Sequence, residues 1–133
     1  MHLKLKVLIV EDSDVVTLRI REVLNSIDEV LFVGAASDSI EAHTLIRIMS
    51  PDVVLLDISI PGKNGIYLLK DIKQNYSQTK VIMLTNYSGT DYRDYCYILG
   101  ADYFFDKSTE FEKIPEALKS IFSEKNGPCQ SST

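Results

Sequence analysis

The sequence predicts a doubly wound α/β sandwich, a (βα)5 fold with a five-stranded parallel sheet. Five short apolar runs alternate with five stretches of helical character along the 133 residues. Strands that alternate with helices need crossover connections, and these place parallel strands in one sheet with helices on both faces. A second observation agrees with this fold. Polar side chains directly follow most of the runs, at the edge where such sheets bind ligands.

The strands are predicted from length and composition. Four runs are short, continuous and rich in β-branched residues, namely 5–10, 30–36, 53–56 and 81–84, and an aromatic run follows at 103–105. Continuous apolar runs of this length are typical of strands that are buried on both faces.

Apolar side chains recur at helical spacing between these runs. Three stripes fit a period of about 3.6 residues, and they are Val16, Ile20, Val23 and Ile27; Ala42, Leu45, Ile46 and Met49; Ile66, Leu69 and Ile72. Residues 90–99 form the fourth predicted helix, and the fifth carries Ile114, Leu118 and Ile121. Each stripe can cover one face of the sheet.

Local signals mark where helices begin and end. Asp38 followed by Glu41 resembles a capping box that opens the second helix, and Pro51 marks the break after it. Gly100 is placed to end the fourth helix. Pro115 is tolerated only if it lies in the first turn of the fifth helix.

Length and composition indicate one domain. The chain is 45% hydrophobic and 25% charged, which supplies one ordinary core. We assign the domain to residues 1–122. Residues 123–133 are polar and contain Gly and Pro, so we expect a flexible tail there. No output domain is expected after residue 122, so the output would come from another protein.

Charge and hydropathy exclude several classes of function. The net charge is −5 and no Lys/Arg cluster occurs, so direct nucleic-acid binding is disfavoured. The first apolar run is too short for a signal peptide or a membrane span, and we therefore expect a cytoplasmic protein without a membrane partner. Cys96 and Cys129 show no metal-ligand spacing and are expected to be free thiols.

The candidate chemistry collects where strands end. Glu11 and Asp12 follow the first run, Asp57 follows the third, Thr85 the fourth and Lys107 lies just after the fifth. In a parallel sheet these side chains project toward one edge, the edge at which open α/β sheets bind ligands.

Carboxylates that converge there must be neutralised. A close pair repels by about 4 kcal/mol at 4 Å if the effective dielectric constant is about 20. An all-oxygen cluster suits Mg²⁺, and Lys107 and Thr85 add an ammonium group and a hydroxyl donor. A nucleophile, a metal, a cation and a hydrogen-bond donor are the groups that phosphoryl transfer requires.

Four segments in this order resemble the receiver domains of bacterial response regulators over residues 5 to about 122. The segments are Val-Leu-Ile-Val-Glu-Asp-Ser, Pro-Asp-Val-Val-Leu-Leu-Asp-Ile-Ser-Ile-Pro-Gly-Lys-Asn-Gly, Met-Leu-Thr and Gly-Ala-Asp-Tyr-Phe-Phe-Asp-Lys-Ser. The resemblance implies that Asp57 is phosphorylated and that Asp12 and Asp57 ligate Mg²⁺. It implies that the Ser59 backbone carbonyl completes the protein ligands and that Glu11 acts largely through water.

The resemblance also implies a stand-alone, CheY-like switch in a two-component system, with the flavodoxin-like strand order 2-1-3-4-5. The phosphoryl donor would be a histidine kinase or a histidine phosphotransfer protein, and the domain would catalyse only its own phosphorylation and dephosphorylation. Thr85 and Phe104 would form the coupled switch. The fourth helix, fifth strand and fifth helix would contact a target protein or a second copy in a homodimer, through a surface that could include Tyr92, Tyr95 and Tyr103.

Several positions bear on how much of the family pattern this chain shares. Lys107 is followed by Ser108 where many receivers have proline with a cis bond, and the acidic pair begins with Glu11 where Asp is common. Ser59 and Tyr87 lie where the family tunes the lifetime of its phosphoryl group.

Alternatives to this interpretation use the same residues. Asp12 and Asp14 fit the pattern of haloacid-dehalogenase-type phosphatases, with Asp12 as nucleophile and Asp14 as acid/base. A pseudo-receiver would be a binding module of the same fold without phosphorylation, and only Ser108 favours it. Asp12 could also serve only to cap the first helix, although Ser13 can do so instead.

Overall fold

The five predicted strands form one parallel sheet in the order β2-β1-β3-β4-β5, which confirms the predicted fold class and strand order. The computed structural model describes residues 4–59, 64–86 and 90–126. The strands are β1 (Leu5–Val10), β2 (Val30–Ala36), β3 (Val53–Leu56), β4 (Lys80–Thr85) and β5 (Tyr103–Asp106). The pairing of β1 with β2 shifts register between Val7 and Leu8, where Val33 of β2 has no partner.

Five helices cover the two faces of this sheet. They are α1 (Asp14–Asn25), α2 (Ser39–Met49), α3 (Gly65–Asn75), α4 (Thr90–Ile98) and α5 (Ile114–Asn126), and a 3₁₀ turn (Phe111–Lys113) precedes α5. Buried side chains of α1 and α5 pack with one face of the strands, and those of α2, α3 and α4 pack with the other. This is the two-sided burial that the continuous apolar runs predict.

Side-chain and backbone caps define the helix ends. Ser13, not Asp12, caps α1, because its hydroxyl accepts a hydrogen bond from the Val16 N–H. Asp38 caps α2 by accepting from the Glu41 N–H at 2.8 Å, whereas Glu41 accepts from Ser37 at 2.9 Å, one residue earlier than a capping box requires. Asp38 therefore opens α2 as predicted, but the second bond of a capping box, from the Asp38 N–H to Glu41, is replaced by a bond from the Ser37 N–H.

The end of α4 follows the predicted glycine signal. Gly100 has a φ of +107°, a conformation that favours glycine. The Gly100 N–H donates to the Tyr97 carbonyl at 3.1 Å and the Ala101 N–H donates to the Cys96 carbonyl at 2.9 Å. These two bonds form a Schellman motif, which satisfies carbonyl groups of the last helical turn.

The structure corrects the predicted extent of α5. Ser123 was expected to begin the flexible tail, but α5 continues to Asn126. Phe122 packs against the core, and Lys125 pairs with Asp52 at 3.1 Å between Nζ and Oδ1. The polar residues therefore lie on an exposed helical surface, and the first helix-breaking residue, Gly127, lies outside the described residues. Pro115 occupies the first turn of α5, as predicted.

Within the described residues, no helix is long and apolar enough to cross a lipid bilayer.

Candidate functional site

The sheet brings the residues that follow β1, β3 and β5 to its carboxyl edge. The Asp57 N–H donates to the Val10 carbonyl at 3.1 Å, so Asp57 lies directly beside the end of β1. The Lys107 N–H donates to the Thr85 carbonyl at 3.0 Å, which places Lys107 beside the end of β4. Backbone hydrogen bonds to neighbouring strands thus fix the backbone positions of Asp57 and Lys107 at this edge.

Glu11, Asp12 and Asp57 form an acidic cluster. Each offers a carboxylate oxygen, and these atoms lie within 4.8 Å of one another. Glu11 and Asp57 are buried, with 4% and 5% of their surfaces exposed, whereas Asp12 is exposed. Because Ser13 caps α1, Asp12 is not needed as its cap.

Lys107 pairs with both buried carboxylates. Its Nζ lies 2.6 Å from Glu11 Oε1 and 2.9 Å from Asp57 Oδ2. Burial opposes the charge on this ammonium group, but its close pairing with the Glu11 and Asp57 carboxylates outweighs this effect, so the pKa of Lys107 is raised. Lys107 is therefore charged across the physiological pH range.

Glu11 is only partly satisfied by these contacts. Its Oε2 accepts from the Ser13 N–H at 3.1 Å, but the Lys107 ammonium does not meet Oε1 in hydrogen-bond geometry despite their closeness. Burial raises the pKa of Glu11, helped by the nearby charge of Asp57 and opposed by Lys107 and Ser13. Glu11 Oε1 therefore has an ion pair with Lys107 but no well-aligned hydrogen bond.

The donor set and its charge fit a hard divalent cation. Three carboxylates against one ammonium group leave two uncompensated negative charges. The cluster contains oxygen ligands and neither His nor Cys, which suits Mg²⁺. The acidic cluster can therefore hold a metal ion.

Asp57 is oriented by the segment that follows it. The Ser59 N–H donates to Asp57 Oδ1 at 3.1 Å, while Lys107 contacts the other oxygen. The Ser59 side chain is exposed, and the role predicted for its backbone carbonyl as a Mg²⁺ ligand stays a prediction. Tyr87, the other residue predicted to tune the phosphoryl lifetime, lies outside the described residues.

Gly65 is a site residue to which the sequence reasoning gave no role. A Cβ atom at this position would lie 2.1 Å from the Asp57 carbonyl oxygen and 2.8 Å from the Ile58 Cα atom. The Gly65 N–H donates to the Ile58 carbonyl at 2.7 Å, so the start of α3 rests on the backbone that carries Asp57. The signal that could have found it is Asn64-Gly65, with Asn64 as the cap of α3.

The loop that carries Lys107, residues 107–109, is closed by side chains in place of the proline expected from the family pattern. The Ser108 N–H and hydroxyl both donate to Asp106 Oδ1 at 2.7 Å. Glu110 Oε1 accepts from the Asp106 N–H at 2.9 Å. The Lys107-Ser108 bond is trans, since the described residues contain no cis peptide bond.

The two predicted switch residues lie close to the site but inside the fold. Thr85 is the last residue of β4 and is fully buried. Phe104 in β5 is 3% exposed and packs in the core with α3 and α4. Of the predicted surface tyrosines, Tyr92 and Tyr95 are exposed, whereas Tyr103 is partly buried and its ring lies tilted against that of Phe105, with the centroids 5.8 Å apart. Their functional roles stay predictions.

Comparison with known proteins agrees with this geometry. A family model described as "Response regulator receiver domain" matches residues 7–119. The chain is 34% identical over 116 residues to Protein CcdB of Bacillus subtilis, covering 87% of this chain and 96% of that protein. It is 34% identical over 127 residues to protein-glutamate methylesterase/protein-glutamine glutaminase 2 of Vibrio vulnificus, covering 94% of this chain and 37% of that protein.

A solved structure supports the fold independently. The chain matches a chain of the CheX-CheY-BeF3-Mg complex from Borrelia burgdorferi with a TM-score of 0.82 and 27% identity, covering 90% of each chain. The chain spans 37% and 55% of the length of the first two curated relatives that it matches. The activities in the names of these longer relatives are therefore not transferred to this chain.

Proposed function

Because the chain belongs to the response regulator receiver domain family, a family of signalling domains in two-component systems, we propose that it is a phosphorylation-dependent switch with Asp57 as the acceptor. The donor would be a histidine kinase or a histidine phosphotransfer protein. The output would be a contact with another protein. The net charge of −5 favours such a contact over direct nucleic-acid binding.

One observation carries this proposal. Asp57 is buried at the centre of the site, where it contacts the Lys107 ammonium group and shares the acidic cluster with Glu11 and Asp12. A nucleophilic carboxylate flanked by a fixed cation and a metal-binding cluster has what phosphoryl transfer needs. The phosphatase alternative instead needs Asp14 as acid/base, but Asp14 is an exposed residue at the start of α1.

Mg²⁺ would be held by the Asp12 and Asp57 side chains and the Ser59 backbone carbonyl, with Glu11 acting through water. When bound, it supplies neutralisation of the charge on the transferring phosphoryl oxygens. The all-oxygen donor set and the excess negative charge of the cluster support this assignment. Similarity to a chain of the Borrelia burgdorferi complex, which was solved with BeF3 and Mg²⁺, also supports it.

In the transfer step, a carboxylate oxygen of Asp57 attacks phosphorus. The bond from phosphorus to the donor nitrogen or oxygen breaks, and its electron pair leaves with the donor. Lys107 is already 2.9 Å from Asp57, so it can pair with a phosphoryl oxygen without a long movement. Attack of water on the aspartyl phosphate returns the carboxylate, so the domain turns over only its own phosphoryl group.

The switch is proposed to follow from the charge that phosphorylation adds. A phosphoryl group brings about −1.5 to −2 charges and three acceptor oxygens. Thr85 would donate its hydroxyl to one of these oxygens, and Phe104 would repack in response. The exposed Tyr92 and Tyr95 on α4 are aromatic side chains of the kind enriched at interfaces, and they make α4 part of the proposed target or homodimer surface.

Labelling by a small-molecule phosphodonor tests the acceptor. We expect intact-mass analysis with acetyl phosphate and Mg²⁺ to show one added phosphoryl group, mapped by peptide analysis to Asp57 and absent in Asp57→Ala. Asp71→Ala is the matched control, since Asp71 is a partly exposed carboxylate on α3 that pairs with His43. Label on Asp12 would instead support the phosphatase, and undiminished label in Asp57→Ala would refute the assignment.

The pseudo-receiver alternative makes the opposite prediction for the metal. A Mg²⁺ titration followed by amide chemical shifts should move the signals of Asp12, Asp57 and Ser59. A flat titration together with no labelling would show a binding module that shares the fold but not the chemistry.

A further inference from the structure

Arg93 of α4 links this helix to the strand and loop that lead to Lys107. Its guanidinium carbon lies 5.6 Å from the centre of the Phe104 ring, within the range of a cation–π contact. Its Nη2 atom lies 3.8 Å from Glu110 Oε1. One side chain therefore touches both the predicted switch aromatic and the residue that closes the Lys107 loop.

Glu110 is the anchor of that loop. Its Oε1 accepts from the Asp106 N–H at 2.9 Å, and its own N–H donates to the Asp106 carbonyl at 2.9 Å. Lys113 binds the other carboxylate oxygen at 2.9 Å. These contacts, with the hydrogen bond from Lys113 first, lower the pKa of Glu110, so the anchor is ionised at neutral pH. Any displacement of Lys107 must act against these contacts of Glu110 with Asp106 and Lys113.

Arg93 contacts Glu110 without forming a hydrogen bond to it. The distance of 3.8 Å to Glu110 is long for a hydrogen-bonded ion pair. The Arg93 Nε atom is buried and has no hydrogen-bond partner among the described residues. A buried donor without an acceptor costs free energy, so a shift that brought a Glu110 carboxylate oxygen to Nε would be favourable. Arg93 therefore has a polar atom that a change in its surroundings could satisfy.

We propose that Arg93 is a positioning residue that couples the Lys107 loop to the surface of α4. The inference rests on the proposed function, because the driving event is phosphorylation of Asp57, which exchanges the carboxylate contact of Lys107 for a phosphoryl contact. This exchange shifts Glu110 through the Lys107 loop, while Phe104 repacks as proposed above. Arg93 then changes its contacts, and α4 reorients with it.

The experiment compares amide chemical shifts with and without BeF3⁻ and Mg²⁺. In the wild type, two groups of signals should move: the site residues Asp57 and Lys107, and the α4 residues Tyr95 to Ile98. In Arg93→Gln the site signals should move as before, with the BeF3⁻ dissociation constant changed less than about threefold. The α4 shifts should fall to less than about half of their wild-type size.

Two further variants separate coupling from simple loss of structure. Glu110→Gln should reduce the α4 shifts as Arg93→Gln does. The α4 shifts of the double variant should be no smaller than those of either single variant, since the two residues act as one unit. Arg93→Lys keeps the positive charge and should retain more of the α4 response than Arg93→Gln. If Arg93→Gln does not fold, the α4 shifts of Arg93→Lys and Glu110→Gln are compared with those of the wild type instead.

Arg47→Gln is the matched control, since Arg47 is an exposed arginine on α2, and it should behave as wild type. Unchanged α4 shifts in Arg93→Gln with normal site shifts would overturn the coupling and leave the proposed function intact. Absent site shifts in the wild type would overturn the proposed function, and the coupling with it.

Discussion

Lys107 Nζ lies 2.9 Å from Asp57 Oδ2, although the two residues are 50 positions apart in the chain. The same ammonium group lies 2.6 Å from Glu11 Oε1. One cation therefore separates two buried carboxylates that would otherwise repel each other. We therefore expect the stability of the metal-free domain and the proposed phosphoryl chemistry to depend on the same side chain.

Replacing this cation should destabilise the metal-free protein. In Lys107→Met the side chain keeps most of its bulk but leaves Glu11 and Asp57 as unpaired buried charges, which should cost about 3 kcal/mol of unfolding free energy. Urea denaturation in EDTA measures the loss, and Mg²⁺ should recover part of it. Lys119→Met, on an exposed face of α5, should change little. Equal stability of the two variants would contradict the ion-pair role.

The raised pKa of Glu11 predicts how stability depends on pH without metal. The folded state holds this proton at a higher pH than the unfolded chain, whose Glu pKa is about 4.3. In EDTA, this residue's contribution should therefore decrease as pH rises from about 4.3 through the folded-state value. Carbon-13 titration of the Glu11 carboxylate gives the pKa directly. Glu11→Gln should remove this part of the pH dependence, and an ordinary pKa in the wild type would contradict the prediction.

Gly65→Ala tests the close approach of α3 to the Asp57 backbone. The added methyl group would lie 2.1 Å from the Asp57 carbonyl oxygen, so the start of α3 must shift. We expect a loss of at least about 2 kcal/mol in unfolding free energy and slower labelling of Asp57. Asn64→Ala removes the neighbouring helix cap and should cost only about 1 kcal/mol. A Gly65→Ala protein as stable as wild type would show that the contact is tolerated.

Ser108 should stabilise the Lys107 loop through its two bonds to Asp106. Ser108→Ala keeps the N–H bond and loses the hydroxyl bond, which should cost about 0.5–1 kcal/mol. Ser108→Pro loses both donors, and we expect it to cost more unless the loop rearranges. Thermal unfolding compares these variants with Thr109→Ala, the exposed neighbour. If Ser108→Ala matches Thr109→Ala, the hydroxyl bond contributes nothing measurable.

Local patterns in the sequence determined the helices and strands and the edge of the sheet at which the candidate site lies. The buried strands, the cap at Asp38, the end of α4 at Gly100 and the position of Pro115 all follow from preferences of a few neighbouring residues. Because parallel strands end at one edge, the meeting of Glu11, Asp57 and Lys107 could also be predicted.

Only the tertiary structure decided which atoms of distant segments touch. The predicted end of α5 at residue 122 was wrong because polar residues can continue a helix on its exposed surface, and Lys125 does so while pairing with Asp52. Asn64-Gly65 marks the start of a helix but not the 2.1 Å approach to the Asp57 carbonyl oxygen, and the contacts of Arg93 with Phe104 and Glu110 have no periodicity or motif. Such contacts depend on distances of a few tenths of an ångström between packed elements, and sequence spacing does not specify these.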